Sequence, residues 1–217
     1  MLVVLPALGV TAEEPSPARG ALGRLKVGNE RFVKNASAPV SLSTFTRQEL
    51  AKGQAPYAMV LSCADSRVPP EYVFNTGLGE LFVVRTAGEV IDKSILATLE
   101  YGAEHLHIPL MVVMGHESCG AVKAVVDKAE VPGPNLAYMV KAIRAGVGRS
   151  STEQANIKTA ILANVEQSIN DALAGSEILR HAVDGGKLQV VGAYYELGSG
   201  RVTFSEPIGE PAPAPHK

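Results

Sequence analysis

The chain of 217 residues has two cysteines, no tryptophan and no excess of either charge. Two cysteines make no disulfide framework in a chain of this size. A net charge of -2 and a pI near 6.2 lack the basic footprint of a nucleic-acid-binding protein. No apolar run is long enough to span a bilayer. No Lys or Arg precedes Arg19, so the short apolar start lacks the basic head of a complete secretory signal, although Val10-Thr11-Ala12 is a fair small-residue cleavage pattern. Residues 1–18 are therefore expected to be a signal-peptide remnant or a disordered extension, and the location is cytoplasmic or periplasmic. The Pro/Ala-rich residues 206–217 are expected to be a disordered tail. No repeat or linker divides residues 19–205, and 46% hydrophobic residues suffice for one core.

Within that region, apolar runs alternate with helical patterns. Tyr57 to Ser62, Glu80 to Arg85, Leu110 to Met114 and Leu188 to Tyr195 read as buried strands. Ala21 to Asn35, Ser94 to Leu106, Cys119 to Ala129 and Ile157 to Leu173 carry helical spacing. Ser176 caps a further short helix that stops at Gly185-Gly186. The turn Leu197-Gly198-Ser199-Gly200 leads to a hairpin strand, Arg201 to Phe204. Residues 36–56 read as turn-rich. The pattern predicts a single α/β domain with a mainly parallel β-sheet flanked by helices. Sites in such sheets sit at the carboxyl ends of the strands.

Both cysteines lie there. Cys63 follows YAMVLS, and Cys119 lies in MGHESCG, which follows LMVV and precedes AVKAVV. His116 stands three residues before Cys119. If the two strand ends are neighbours, two thiols and an imidazole converge. Soft sulfur plus imidazole is a zinc set, and three protein ligands leave a fourth, catalytic position open. A helix N-terminus at Cys119 favours the thiolate. Taken singly, each residue has a bland reading: a buried small cysteine, a solvated histidine, a surface ion pair of Asp65 with Arg67. The stretch Gly115 to Gly120 is close to a hydrolase nucleophile elbow, but Gly-x-x-Ser-x-Gly is one residue too long.

CADSR at 63–67 and GHESCGAV at 115–122 resemble the two signature motifs of the β-class carbonic anhydrases. FVVRTAGEV at 82–90 and LEYGAEHL at 99–106 extend the resemblance over most of residues 20–205. It implies one zinc per chain on Cys63, His116 and Cys119, an Asp65–Arg67 dyad, and reversible hydration of carbon dioxide to bicarbonate and a proton by hydroxide generated at the zinc. In some members the residue matching Asp65 swings onto zinc and closes the site. The stretch Glu49 to Pro56 is similar to the plant-type branch. That likeness implies a substrate pocket of Gln54, Phe82 and Tyr101, built across a dimer interface; the chemistry also needs a donor to the substrate oxygen, for which the Gln54 amide and the Gly120 N–H are candidates. It also implies a homodimer or higher even oligomer. The bland readings are strand core for Phe82 and a packed helix face for Tyr101. Some bacterial members have an inhibitory bicarbonate site that uses a tryptophan, which this chain lacks, and with Gln54 present an open site is expected. Two thiolates make zinc a poorer acid than imidazoles do, so something must offset them. A hydrogen bond to Asp65, held ionised by Arg67, is one such device. His105 and His107 are proton-shuttle candidates by type alone, and their placement at a helix end suits a structural role. Two other classes stay open: a same-fold hydrolase of carbon disulfide or carbonyl sulfide, and a non-catalytic zinc-binding protein.

Overall fold

A computed structural model describes residues 16–148 and 156–209. The expectations for residues 1–15 and for the tail beyond residue 209 lie outside the described residues. The fold is α/β. Its sheet has five strands: β1 (Ala58–Cys63), β2 (Leu81–Thr86), β3 (Leu110–His116), β4 (Gln189–Tyr195) and β5 (Val202–Phe204). Their order is β2-β1-β3-β4-β5, and the first four strands are parallel. β5 pairs antiparallel with β4, as the glycine-rich turn predicts.

Unbroken runs of Val, Leu and Met suit strands covered on both faces. β1, β3 and β4 are buried along their whole length, whereas β2 forms a half-buried edge. Alternate residues feed two cores. Val60, Val112 and Met114 face one, with Leu25, Val122 and Ile143. Met59, Leu61, Met111 and Val113 face the other, with Leu99, Ile169 and Leu179. Each fully buried side chain of this kind contributes about 1.5–3 kcal/mol.

The helices are α1 (Pro17–Val33), α2 (Thr44–Leu50), α3 (Pro70–Val73), α4 (Lys93–Glu100), α5 (Gly120–Val126), α6 (Pro134–Val147), α7 (Ile157–Gly175) and α8 (Glu177–Asp184). α1 begins four residues before the expected Ala21, so residues 16–18 belong to the fold. The Ser16 Oγ accepts from the Arg19 N–H, Pro17 fits the first turn, and Ala18 is buried. At the other end, Ile208 pairs with Val190, so order extends past residue 205. The expected helix from Ser94 to Leu106 divides. α4 stops at Glu100, and Tyr101–His105 forms a π turn closed by Leu106 N–H to Tyr101 C=O. α2 lies in the stretch read as turns and buries none of its residues, so it has no apolar stripe to read.

Chain order places the site. β1 connects outward to β2, and β2 returns past β1 to β3. The chain thus reverses direction between β1 and β3, the switch point at which open α/β sheets form crevices. The register Ser62↔Met114 continues to set Cys63 beside Gly115. Gly115 has no room for a side chain. A Cβ there would lie 2.7 Å from Val165 Cγ2, 2.8 Å from Ile161 Cγ2 and 3.1 Å from Glu89 Oε1. Gly115→Ala is expected to lower stability by roughly 1–3 kcal/mol through overpacking against α7. The urea midpoint of the two proteins measures this.

Candidate metal centre

Cys63 is the last residue of β1 and His116 the last of β3, and Cys119 is the N-cap residue of α5. The structure brings these three together. Their ligand atoms all lie within 4.8 Å of one another, and all three residues are buried. The intervening loop is anchored. The Glu117 N–H donates to the Tyr195 carbonyl at 2.8 Å, and the Glu117 carboxylate accepts from the Leu197 N–H at 2.9 Å. Ser118 takes a left-handed φ of 56°, which turns the chain into α5.

His116 Nδ1 lies 2.8 Å from the Glu117 carbonyl, so Nδ1 carries the proton and donates. Nε2 therefore presents its lone pair, and this buried atom has no hydrogen-bond partner. An orphaned imidazole nitrogen facing two thiols is a cost unless something fills the space between them. The donor set fits zinc in chemistry and in number, with one position left over. The two thiols are coupled. Cys63 is pulled well below the ordinary thiol range, first by the hydrogen bond from Cys119 and against the effect of burial. Cys119, donor in that bond and itself buried, is pushed up.

Asp65 stands beside the set, its Oδ2 3.9 Å from His116 Nε2. Arg67 grips it side-on, with Nε to Oδ1 at 2.9 Å and Nη2 to Oδ2 at 2.6 Å. The Arg67 backbone N–H adds a third bond to Oδ1 at 2.9 Å. These bonds hold the Asp65 carboxyl far below the usual carboxylate range.

Gln54, Phe82 and Tyr101 are not brought to this cluster within the chain. Gln54 precedes β1 and lines a cavity of about 450 Å³ with Leu50, Leu78 and Glu80. Phe82 pairs with Met59, four residues before Cys63, or about 13 Å back along the sheet. Tyr101 lies over Phe82, ring centroids 6.2 Å apart, and is 45% exposed. The three sit towards the amino end of the β1–β2 edge. Gly120 opens α5 directly after Cys119. His105 packs against Tyr101, with ring centroids 4.8 Å apart and the planes tilted by 31°.

Two contributors escaped the sequence reading. Arg85 on β2 donates from Nε to the Cys63 carbonyl at 2.9 Å and from Nη2 to the Asp65 carbonyl at 2.5 Å. It ties the loop that carries both a ligand and the dyad. Glu89 is fully buried, and neither carboxyl oxygen makes a hydrogen bond of good geometry, although the nearby Asn164 amide favours its charged form. Burial, and then the charge of Cys63, raise its acid well above the ordinary value. Both residues lie in FVVRTAGEV, so the motif was visible and the roles were not.

The carbonic anhydrase family profile matches residues 58–202. Carbonic anhydrase 2 of Mycobacterium tuberculosis is 38% identical over 194 residues, covering 85% of this chain and 91% of that protein. A carbonic anhydrase of Mycolicibacterium smegmatis is 36% identical, covering 86% and 92%. Among solved structures, the Coccomyxa β-carbonic anhydrase in complex with acetazolamide superposes with a TM-score of 0.70 at 28% identity, covering 87% of this chain and 88% of that one. The parallel sheet with a Cys-His-Cys cluster at its switch point thus defines a class of lyase. The chain belongs to the carbonic anhydrase family, in its β class.

Glu89 yields a pH test. Its folded-state pKa is raised, so its contribution to stability is complete below the unfolded value of 4.5 and is lost as pH rises towards the folded value. Glu89→Gln removes the ionisation. The stability of the variant relative to the parent should climb with pH, by up to about 1.4 kcal/mol per pH unit. Urea unfolding of the zinc-loaded proteins between about pH 6 and about pH 9 checks this. A flat difference would mean that Glu89 is ionised in the folded chain.

Proposed function

We propose that this chain is a zinc-dependent carbonic anhydrase that hydrates carbon dioxide reversibly to bicarbonate and a proton, in an open site. One observation carries the reading. The unpartnered His116 Nε2 faces two thiols and lies 3.9 Å from a carboxylate that Arg67 already occupies. Cys63, His116 and Cys119 would hold the metal. Bound there, zinc supplies Lewis acidity, which makes a water nucleophilic near neutral pH.

The protein's own residues do the rest. Asp65 accepts a hydrogen bond from the nucleophilic water and turns a lone pair of its oxygen towards the carbon of carbon dioxide. Arg67 keeps Asp65 ionised and directed, as charge-assisted bidentate pairs do. Occupied in this way, Asp65 has less reason to move onto the ligand set, which favours the open site. The substrate is small and apolar, so it needs a dry wall and one donor for the oxygen on which charge develops. Phe82 and Tyr101 are the wall, and the Gln54 amide and Gly120 N–H are the donors. The product proton passes to solvent.

Gln54, Phe82 and Tyr101 serve the site of a second copy. They lie too far from their own cluster to act there, and they share the β2 edge. The nearby α2 buries nothing, leaving Phe45 71% exposed. The functional unit is therefore a homodimer, from which larger even oligomers can be built.

Stopped-flow carbon dioxide hydration, with zinc quantified on the same sample, tests the activity. The expected result is fast hydration with about one zinc per chain. Asp65→Asn should keep the zinc and lose at least about tenfold in turnover, as loss of a positioning group does. Cys63→Ser should lose the metal as well. Full zinc without hydration would move the function to carbon disulfide, carbonyl sulfide or a non-catalytic role.

Coexpression tests the shared pocket. A heterodimer of Asp65→Asn and Gln54→Ala chains holds one site with both residues intact. It should be more active than either parental homodimer. No gain would place Gln54 in the site of its own chain.

A further inference from the structure

Two thiolates blunt the acidity of a zinc ion, and Asp65 acts on the water rather than on sulfur. The structure holds a second device, on the sulfur side. The Gly88 N–H donates to Cys63 Sγ at 3.4 Å, within the range of a hydrogen bond to sulfur. Gly88 belongs to the Ala87–Glu89 turn, where two consecutive residues are left-handed: Gly88 at φ 65°, ψ 28° and Glu89 at φ 51°. Left-handed backbone at a non-glycine residue costs roughly 1–2 kcal/mol and persists only where its surroundings hold it.

Helix α7 holds it with two buried polar side chains. The Asn164 Nδ2 donates to the Gly88 carbonyl at 2.7 Å, and the Ser168 Oγ donates to the Glu89 carbonyl at 2.9 Å. They are 2% and 4% exposed, in a helix whose other inward residues include Ile161, Val165 and Ile169. The turn is also wedged: a Cβ on Gly88 would lie 2.7 Å from Ile143 Cδ1 and 3.2 Å from Ala121 Cβ. Gly88 is thus held at both of its polar groups, its carbonyl by Asn164 and its N–H against the Cys63 sulfur. Rotating the backbone of Gly88 would break both bonds.

We propose that Asn164 is a positioning residue for the metal centre: by holding the Gly88 carbonyl it aims the Gly88 N–H at the Cys63 sulfur, and that bond draws electron density off the ligand. Hydrogen bonds to ligating atoms tune a metal in this way. The inference rests on Cys63 being a metal ligand, but not on the reaction catalysed. Ser168 is the internal control, because it holds the same turn one residue further from the sulfur.

The test uses the full chain loaded with cobalt(II), whose thiolate-to-metal charge-transfer band reports the donor strength of sulfur without any turnover. Asn164→Ala and the space-filling Asn164→Leu are compared with Ser168→Ala. All three should melt below the parent, since each leaves a buried carbonyl without its donor. In the Asn164 variants alone, the band should move to longer wavelength, with about one cobalt per chain retained. An unmoved band in folded Asn164 variants, or an equal shift in Ser168→Ala, would overturn the proposal and leave Asn164 a merely structural residue. No charge-transfer band in the parent would overturn the metal reading itself, and this inference with it.

Discussion

Parallel pairing of β1 with β3 sets the spacing of the centre, because it aligns the two strand ends from which Cys63 and His116 emerge. Adjacent strands lie about 4.8 Å apart, close to the spread of the ligand atoms. The third ligand follows once β3 turns tightly into α5. The left-handed Ser118 makes that turn, and Gly115 just before it lets α7 sit directly on the strand backbone. A one-residue slip between β1 and β3 would move Cys63 to the other face of the sheet and dissolve the cluster. The buried apolar stretches that define the register therefore protect the site as well as the fold.

Charge is the second constraint. The Cys63 thiolate and Asp65 place negative charge in a small volume at the edge of the core. The structure answers with different tools at different distances. Arg67 meets Asp65 directly at the solvent margin, while Arg85 spends its guanidinium on the carbonyls of Cys63 and Asp65. Deeper in, burial raises the Glu89 acid well above the ordinary carboxyl value and so disfavours a further charge there. The Gly88 N–H supplies a partial positive charge at the Cys63 sulfur itself.

Much of this was legible in the residues. Continuous runs such as LMVV announce strands covered on both faces, and the two cysteine motifs fall at strand ends, where α/β sheets carry their sites. The Asp65–Arg67 pair is local enough for its spacing to suggest it. The rest depends on long-range placement. Asn164 and Ser168 sit in an otherwise ordinary helix, and nothing in that helix's periodicity says that they reach Gly88 and Glu89. Glu89 reads as a surface residue by type and is fully buried. α2 buries none of its residues, so its sequence carries no apolar stripe to announce it. Gln54, Phe82 and Tyr101 acquire meaning only when the distance from their own cluster is known.

Cys63 and His116 emerge from strands separated in the chain by α3, β2 and α4. An ion shared between them closes a loop of about 50 residues, much as a disulfide would. By the loop-entropy relation, such a closure removes on the order of 4 kcal/mol of freedom from the unfolded chain. The centre is then a staple as well as a site. Chelation would loosen the sheet at its switch point, and the edge strand β2, enclosed in that loop, would be the first element released. A chain that folds around its metal therefore gains mechanical coherence and chemistry in the same event.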